Sequence, residues 1–180
     1  MDFSILYQLQ ALHDPLLDRL MVALTFLGDK GWFWILLGGA LLCCKKTRAW
    51  GAAVLLSLTV GFFLGNCLLK ELVGRSRPCW LDETVRLLVA VPRDFSFPSG
   101  HTMAGFEAAV SIFLYDRRWG LAALCLAVLI GFSRLYLFVH FPTDVLAGAL
   151  LGTGIAVAVH RAMMGRGRVR QGDLPGGGQT

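Results

Sequence analysis

The sequence predicts an all-α protein, a polytopic membrane helix bundle of about five to six transmembrane helices. Of its 180 residues, 56% are hydrophobic and only 16% are charged, which is far from the composition of an average soluble domain. The apolar residues form continuous blocks rather than one face of an amphipathic helix, and the polar residues are gathered between the blocks. We therefore expect one bundle in a lipid bilayer.

The helices follow from these blocks in chain order. Residues 3–12 predict a short interfacial helix that ends before Pro15, because proline disfavours helical geometry in the residue before it. Residues 16–27 would rise only about 18 Å as a helix, so we expect this stretch to span poorly alone and to lie tilted or act jointly with the first helix. Five further blocks are predicted to span the membrane: 31–44, 48–71, 100–115, 119–139 and 143–164.

The remaining segments are polar. Residues 72–98 carry charges and three prolines, which predicts the one long loop of the protein, and long ordered loops are usually functional. Residues 165–180 are rich in glycine and polar residues, which predicts a disordered cytoplasmic tail after a membrane domain formed by residues 1–164. The five cysteines are odd in number and show no CxxC metal spacing, so neither a disulfide framework nor a metal site is expected.

The distribution of charge predicts the orientation. The formal net charge is +5, but the basic residues are divided among loops rather than laid along one basic and aromatic face, which disfavours a nucleic-acid partner. Because successive spans alternate in direction, residues 45–47, residues 116–118 and the C-terminus share one side. That side carries most of the Lys and Arg residues outside the spans and is predicted to be cytoplasmic. The loop 72–98 and the turn 139–143 then face away from the cytoplasm.

Polar residues of an unusual kind occur at the outward helix ends. They are Lys70, Arg77, Ser99, Gly100, His101, Arg134, His140 and Asp144. Alternate helix ends meet on one face, so three cations, two imidazoles and a carboxylate would surround one cavity, which suits phosphoryl transfer. The cations can neutralise phosphate oxygens, and the helix that opens at Pro98-Ser99-Gly100-His101 directs backbone N–H groups at an anion. The two histidines can divide the roles of nucleophile and general acid, while Asp144 orients His140.

The spacing of these residues resembles the tripartite signature of the type 2 phosphatidic acid phosphatase superfamily. The three motifs are Lys70-x6-Arg77-Pro78, Pro98-Ser99-Gly100-His101 and Ser133-Arg134-x5-His140-x3-Asp144. The resemblance implies that His140 is a nucleophile that forms a phosphohistidine, with Asp144 as its orienting partner and His101 as the acid for the leaving group. It also implies that Lys70, Arg77, Ser99, Gly100 and Arg134 bind the phosphate, and that no metal or other cofactor is needed.

The substrate class stays open between alternatives. The resemblance implies a lipid phosphate or diphosphate in the membrane, and the small size and short loops favour a polyprenyl diphosphate such as undecaprenyl diphosphate, in a bacterial plasma membrane with the site on the extracytoplasmic side. Phosphatidic acid or phosphatidylglycerol phosphate is the alternative substrate. A non-catalytic phospholipid-binding or transport protein is the alternative of another class, although binding alone requires neither an acid nor a nucleophile.

Other charged residues receive structural interpretations. Arg75, Arg86 and Arg93 are predicted to be anchors at the membrane surface, as most arginines near the ends of membrane helices are. Glu107 falls inside a span, six residues after His101, and six residues along a helix do not restore the same face. We therefore predict that Glu107 is a structural hydrogen-bonding partner within the bundle.

Overall fold

The computed structural model describes residues 2–172, and these residues contain helices but no strand. The α-helices are α1 (Asp2–Gln10), α2 (Pro15–Gly28), α3 (Trp32–Cys43), α4 (Arg48–Gly61), α5 (Lys70–Val73), α6 (Pro78–Leu81), α7 (Gly100–Phe113), α8 (Arg117–Tyr136) and α9 (Pro142–Gly172). A 3-10 turn, Asp29–Gly31, joins α2 to α3, and a π-helical segment, Phe62–Leu69, joins α4 to α5. The predicted all-α fold is confirmed.

Four helical runs of the described chain are long and apolar enough to cross a bilayer. They are Pro15–Cys43, Arg48–Leu81, Arg117–Tyr136 and Pro142–Gly165. The fourteen residues of α7 rise only about 21 Å, and α7 is instead the central helix of the bundle, packed against α4, α8 and α9. Nine of its residues are buried, so it contacts its neighbours far more than lipid.

Two glycines bring α9 close to α7. A Cβ atom added at Gly148 would lie 2.7 Å from the carbonyl oxygen of Ser99, and one added at Gly152 would lie 2.5 Å from that of Met103. Such close approach of backbones through small residues is the usual way in which membrane helices associate, because lipid supplies no hydrophobic force between them. This packing holds the start of α7 beside the start of α9, where the predicted site residues lie.

The first membrane-crossing run is broken in the middle. Lys30 and Gly31 have positive φ angles of 51° and 69°, so the chain turns between α2 and α3 instead of continuing as one straight helix. Residues 16–27 therefore act jointly with the block 31–44 and not with residues 3–12, which corrects the predicted pairing. Helical rise explains the result, since neither piece alone is long enough to cross the hydrocarbon core.

The end of the bundle that holds His140, named here the site end, is covered by short elements. Helix α1 packs there with its aromatic residues, as Phe3 contacts the rings of Phe138 and Phe141, and the hydroxyl of Tyr7 donates to Asp82 at 2.6 Å. The predicted loop 72–98 is irregular for most of its length but contains α6, because Pro78 occupies the first helical position, where proline is favoured.

The last helix extends past the predicted end of the last membrane span. Helix α9 continues to Gly172, eight residues past the predicted end at residue 164. Propagation of an existing helix adds one hydrogen bond per residue, and this outweighs the modest cost of single glycines. The rest of the predicted tail, residues 173–180, lies outside the described residues.

Candidate active site

His140 lies in the tight turn between α8 and α9, and its side chain is only 1% exposed. Arg77 Nη1 donates to His140 Nε2 at 3.0 Å. A guanidinium has no lone pair to offer, so Nε2 must be the acceptor and the proton of the neutral ring must be on Nδ1. The lone pair is thus on Nε2, which faces Arg77. This is the position expected of the nitrogen that would attack a phosphate bound by Arg77.

The other ring nitrogen faces Asp144, four residues along the chain. His140 Nδ1 lies 3.6 Å from Asp144 Oδ2 and 3.3 Å from Ser96 Oγ, and the Ser96 hydroxyl donates to Asp144 Oδ2 at 2.6 Å. The backbone N–H of Phe141 donates to the same carboxylate oxygen at 2.9 Å. Ser96 therefore bridges the imidazole and the carboxylate, a contribution that the sequence pattern did not indicate.

Arg75 also belongs to this network. Its Nη1 donates to Asp144 Oδ1 at 2.7 Å, and its guanidinium carbon lies 4.2 Å from the centre of the Phe141 ring. The prediction that Arg75 is a surface anchor is wrong. Because the Asp144 side chain is fully buried, its charge requires a cationic partner, and the fold brings Arg75 close enough in space to supply it.

Lys70 and Arg77 share a carboxylate from the long loop. Lys70 Nζ and Arg77 Nη2 both donate to the side chain of Asp94, the latter at 2.8 Å, and Arg77 Nε donates to the Asp94 carbonyl at 2.7 Å. The two remaining donors of Arg77 reach the carbonyls of Val139 and Phe95. Both cations are at least 95% buried, so Asp94 is the counter-ion that compensates their charge in this state.

Charge and burial set the ionisation of Asp94 and His140, both of which lie between membrane spans. Burial by itself would raise the pKa of Asp94, but the hydrogen bond and charge of Lys70, with the charge of Arg77, lower it to about 2. Burial, followed by the charges of Arg77 and Arg134, holds the pKa of His140 well below its usual value. Asp94 is therefore ionised and His140 is neutral at physiological pH.

Arg134 approaches the same region from α8. It is 5% exposed, and its Nη1 donates to the hydroxyl of Thr25 on α2. Its Nε is buried and has no hydrogen-bond partner among residues 2–172. An unsatisfied donor on a buried guanidinium is costly unless a ligand takes it, so Arg134 retains capacity to bind an anion.

The predicted helix opening is present at the start of α7. Ser99 is the residue that precedes the first turn, and its N–H donates to the carbonyl of Asp144 at 3.1 Å, which ties the starts of α7 and α9 together. Gly100 leaves room for Asn66, whose Oδ1 would lie 2.9 Å from an added Cβ. His101 follows in the first turn, and its Nε2 lies 2.8 Å from Asp29 Oδ1.

The eight predicted site residues thus converge at one end of the bundle, whereas Glu107 lies deeper. Glu107 is 1% exposed and faces Gly61, and its Oε1 has no hydrogen-bond partner within the described chain. The prediction that it is a hydrogen-bonding partner is therefore wrong for this atom. Sequence reasoning also missed Ser96, Asp94 and Asp29, because each reaches the site from a loop or a helix break that has no periodic pattern.

Comparison with known proteins identifies relatives of this chain. The PAP2 superfamily model matches residues 50–168. An undecaprenyl-diphosphatase from Sulfolobus acidocaldarius is 36% identical over 141 residues, which cover 78% of this chain and 68% of the relative. Phosphatidylglycerophosphatase B from Bacillus subtilis is 32% identical over 155 residues, covering 78% and 72% of the two chains.

A solved structure gives the same relationship in three dimensions. The crystal structure of a transmembrane PAP2 type phosphatidylglycerolphosphate phosphatase from Bacillus subtilis has a TM-score of 0.76 to this chain, with 30% sequence identity. The match covers 91% of this chain and 84% of the other. The chain belongs to the PAP2 superfamily and is an integral membrane phosphatase.

Proposed function

We propose that this phosphatase hydrolyses a lipid-borne phosphate through a phosphohistidine on His140, with a polyprenyl diphosphate as the favoured substrate. The observation that carries the proposal is the environment of His140, a neutral and buried imidazole whose Nε2 lone pair points toward Arg77 while Nδ1 faces Ser96 and Asp144. An imidazole fixed in one tautomer by a carboxylate is suited to nucleophilic attack.

The first chemical step is attack of His140 Nε2 on phosphorus. For this, Arg77 must exchange its contact with Nε2 for the oxygens of the substrate, and Lys70 and Arg77 must leave Asp94 for the same oxygens. Arg134, with its unpaired Nε, adds a third cation. Three cations around one phosphoryl group stabilise the charge that develops on its equatorial oxygens.

The second group that the reaction requires is an acid. Proton donation to the leaving oxygen from His101 would complete formation of the phosphohistidine, and the neutral ring that remains can accept a proton from the water that hydrolyses this intermediate. The cycle balances, since the proton given to the leaving group in the first half is recovered from water in the second.

The preference for a polyprenyl diphosphate rests on short loops and on similarity to an undecaprenyl-diphosphatase. Phosphatidic acid and phosphatidylglycerol phosphate are the alternatives, the latter supported by similarity to phosphatidylglycerophosphatase B. We further propose that the protein lies in a bacterial plasma membrane with its site on the extracytoplasmic side, where a carrier lipid would be dephosphorylated.

The test is phosphate release by purified protein from a panel of lipid phosphates, with His140→Ala beside the wild type. We expect release from polyprenyl diphosphate to exceed release from the glycerophospholipids. Turnover should fall by several orders of magnitude in His140→Ala, because this variant lacks the proposed nucleophile. Labelled phosphate should remain on the wild-type protein after a quench in base, where phosphohistidine is stable, and not on the variant.

The same assay addresses metal dependence and catalysis. Activity should persist in excess chelator, since the proposed mechanism uses cationic side chains where metal-dependent enzymes use an ion. Loss of activity in chelator with rescue by magnesium would contradict the histidine mechanism. Binding of lipid phosphates without turnover would favour the non-catalytic alternative.

A further inference from the structure

We propose that Asp29 is a positioning residue for His101, so that each histidine of the site is oriented by its own aspartate. The inference rests on the proposed role of His101 as the acid. It assigns a function to the break between α2 and α3, a segment that lies outside the three motifs.

The break brings two neighbouring residues onto the imidazole of His101. A Cβ atom added at Gly28 would lie 2.6 Å from His101 Cδ2, so the end of α2 passes directly along the edge of the ring. The next residue, Asp29, accepts a hydrogen bond from His101 Nε2 at 2.8 Å. Lys30 and Gly31 then turn the chain away in the left-handed conformation. Asp29 is the last residue that follows the direction of α2, because its ψ of 121° ends the helix there, so the carboxylate is held beside the ring by the end of this helix.

The Asp29 carboxylate opposes the positive charges that surround His101. Arg134 from α8 and Lys70 from α5 place positive charge near His101, and His140 faces it from the turn before α9. Burial, followed by these cations, disfavours a protonated ring, whereas Asp29 favours it through a hydrogen bond and opposite charge. His101 is 19% exposed and Asp29 is 52% exposed, so the pair lies at an accessible edge of the site.

The hydrogen bond also selects the nitrogen that reacts. An ionised carboxylate only accepts, so Nε2 keeps its proton and Nδ1 is the nitrogen that can donate. In the proposed step, the bond from phosphorus to the leaving oxygen breaks as the bond from His140 Nε2 to phosphorus forms. The Nδ1 proton of His101 moves to the leaving oxygen, and the ring is left neutral with its remaining proton directed at Asp29.

The test compares Asp29→Asn, His101→Ala and the double variant on two substrates, the lipid phosphate and nitrophenyl phosphate. A nitrophenolate leaves without much help from an acid, so it reports chemistry that does not need His101. We expect Asp29→Asn to lower kcat on the lipid about 10- to 100-fold, a part of the 10²- to 10⁴-fold that an acid typically contributes. On nitrophenyl phosphate the loss should be severalfold at most. The double variant should be no slower than His101→Ala, because both changes remove one function.

Asp18→Asn is the matched control. Asp18 lies on the same helix but accepts from Tyr136 at 2.6 Å and pairs with His13, away from His101. Its substitution should affect the two substrates equally and should add to His101→Ala. Thermal unfolding in detergent checks that each variant is folded, and Asp29→Glu should recover part of the lost rate.

Several outcomes would overturn the inference. They are equal losses of Asp29→Asn on both substrates, full additivity with His101→Ala, or an unchanged rate on the lipid. Failure of the proposed function is distinguishable from these, since His140→Ala would then retain turnover or His101→Ala would show no dependence on the leaving group.

Discussion

Asp94 has the role of an internal anion in this site. Its carboxylate is bound by Lys70 and Arg77, the two cations that are proposed to bind the phosphate. The Asp94 side chain is 55% exposed, whereas the side chains of Lys70 and Arg77 are buried. The lipid phosphate would therefore exchange places with a carboxylate rather than enter an unneutralised pocket. Such an exchange limits the cost of keeping two buried cations in the empty enzyme.

Replacement of Asp94 by Asn should strengthen the binding of anions and lower the stability of the protein without a bound anion. The variant leaves Lys70 and Arg77 without their counter-ion, so its unfolding temperature should fall at neutral pH and rise more than that of the wild type when inorganic phosphate is added. The inhibition constant for phosphate should decrease about tenfold, as expected for loss of one competing charged hydrogen bond that is partly exposed to solvent.

The pH dependence of this effect has a definite sign. The pKa of Asp94 is lowered to about 2 by its partners, whereas an unfolded aspartate has a pKa of about 3.9. Its stabilising contribution is therefore complete above pH 4 and is lost as the pH falls toward 2. The difference in unfolding temperature between wild type and variant should shrink over that interval. Asp82→Asn is the control, because Asp82 lies in the same loop as Asp94 but binds Thr84 and, on α1, Tyr7. A similar effect of phosphate on this variant would contradict the assignment.

Among the helices, the pairing of α7 with α9 controls the geometry of the site. His101 and Ser99 belong to the start of α7, Asp144 belongs to the start of α9, and the N–H of Ser99 donates to the Asp144 carbonyl. The two glycines that allow this approach, Gly148 and Gly152, lie on one face of α9. Small residues at this interface therefore help to hold Ser99 and Asp144 together.

Gly152→Ala should lower both stability and activity, and Gly154→Ala should lower neither. A Cβ atom at position 152 would lie 2.5 Å from the backbone of Met103, whereas one at position 154 meets no atom within 4 Å. Overpacking of this kind typically costs about 1–3 kcal/mol, while alanine on an open helix face is neutral or stabilising. Thermal unfolding and phosphate release in detergent measure the two effects. Equal behaviour of the two variants would contradict close packing of α7 and α9.

The whole molecule has its site at one end and a second group of basic residues at the other. The loop that carries Asp94 and the turn that carries His140 lie at the site end. At the other end, Lys45 and Lys46 follow α3, and Arg117 and Arg118 begin α8. Basic residues are retained preferentially on the cytoplasmic side. The site end is therefore expected to face away from the cytoplasm.

Single cysteines at Asp82 and Arg117 test this orientation in intact cells. With the five native cysteines replaced, an impermeant thiol reagent should label position 82, which lies beside α6 at the site end, and should not label position 117 at the start of α8. Permeabilised cells supply the control, since both positions should then react. Labelling of position 117 but not of position 82 before permeabilisation would reverse the topology.

The helical fold and the eight motif residues follow from local sequence. Long apolar blocks require helices because a bilayer leaves backbone groups no other partner, and alternating spans bring the motif residues to one end. The short helix α1 was also predictable, because Asp14 and Pro15 end the apolar stretch at residues 3–12. These features depend on composition and spacing, which are properties of short segments.

The partners of the motif residues depend on tertiary structure. The sequence predicted Arg75 to be a surface anchor, but it neutralises Asp144. Asp94, Ser96 and Asp29 lie in no sequence pattern. In the structure Asp94 neutralises Lys70 and Arg77, whereas Ser96 and Asp29 contact the two histidines. The sequence likewise did not predict that residues 16–27 and 31–44 together form one membrane-crossing run. Each of these contacts joins irregular segments distant along the chain, and only the packing of the helices decides which loop atoms come within hydrogen-bonding distance of a buried charge.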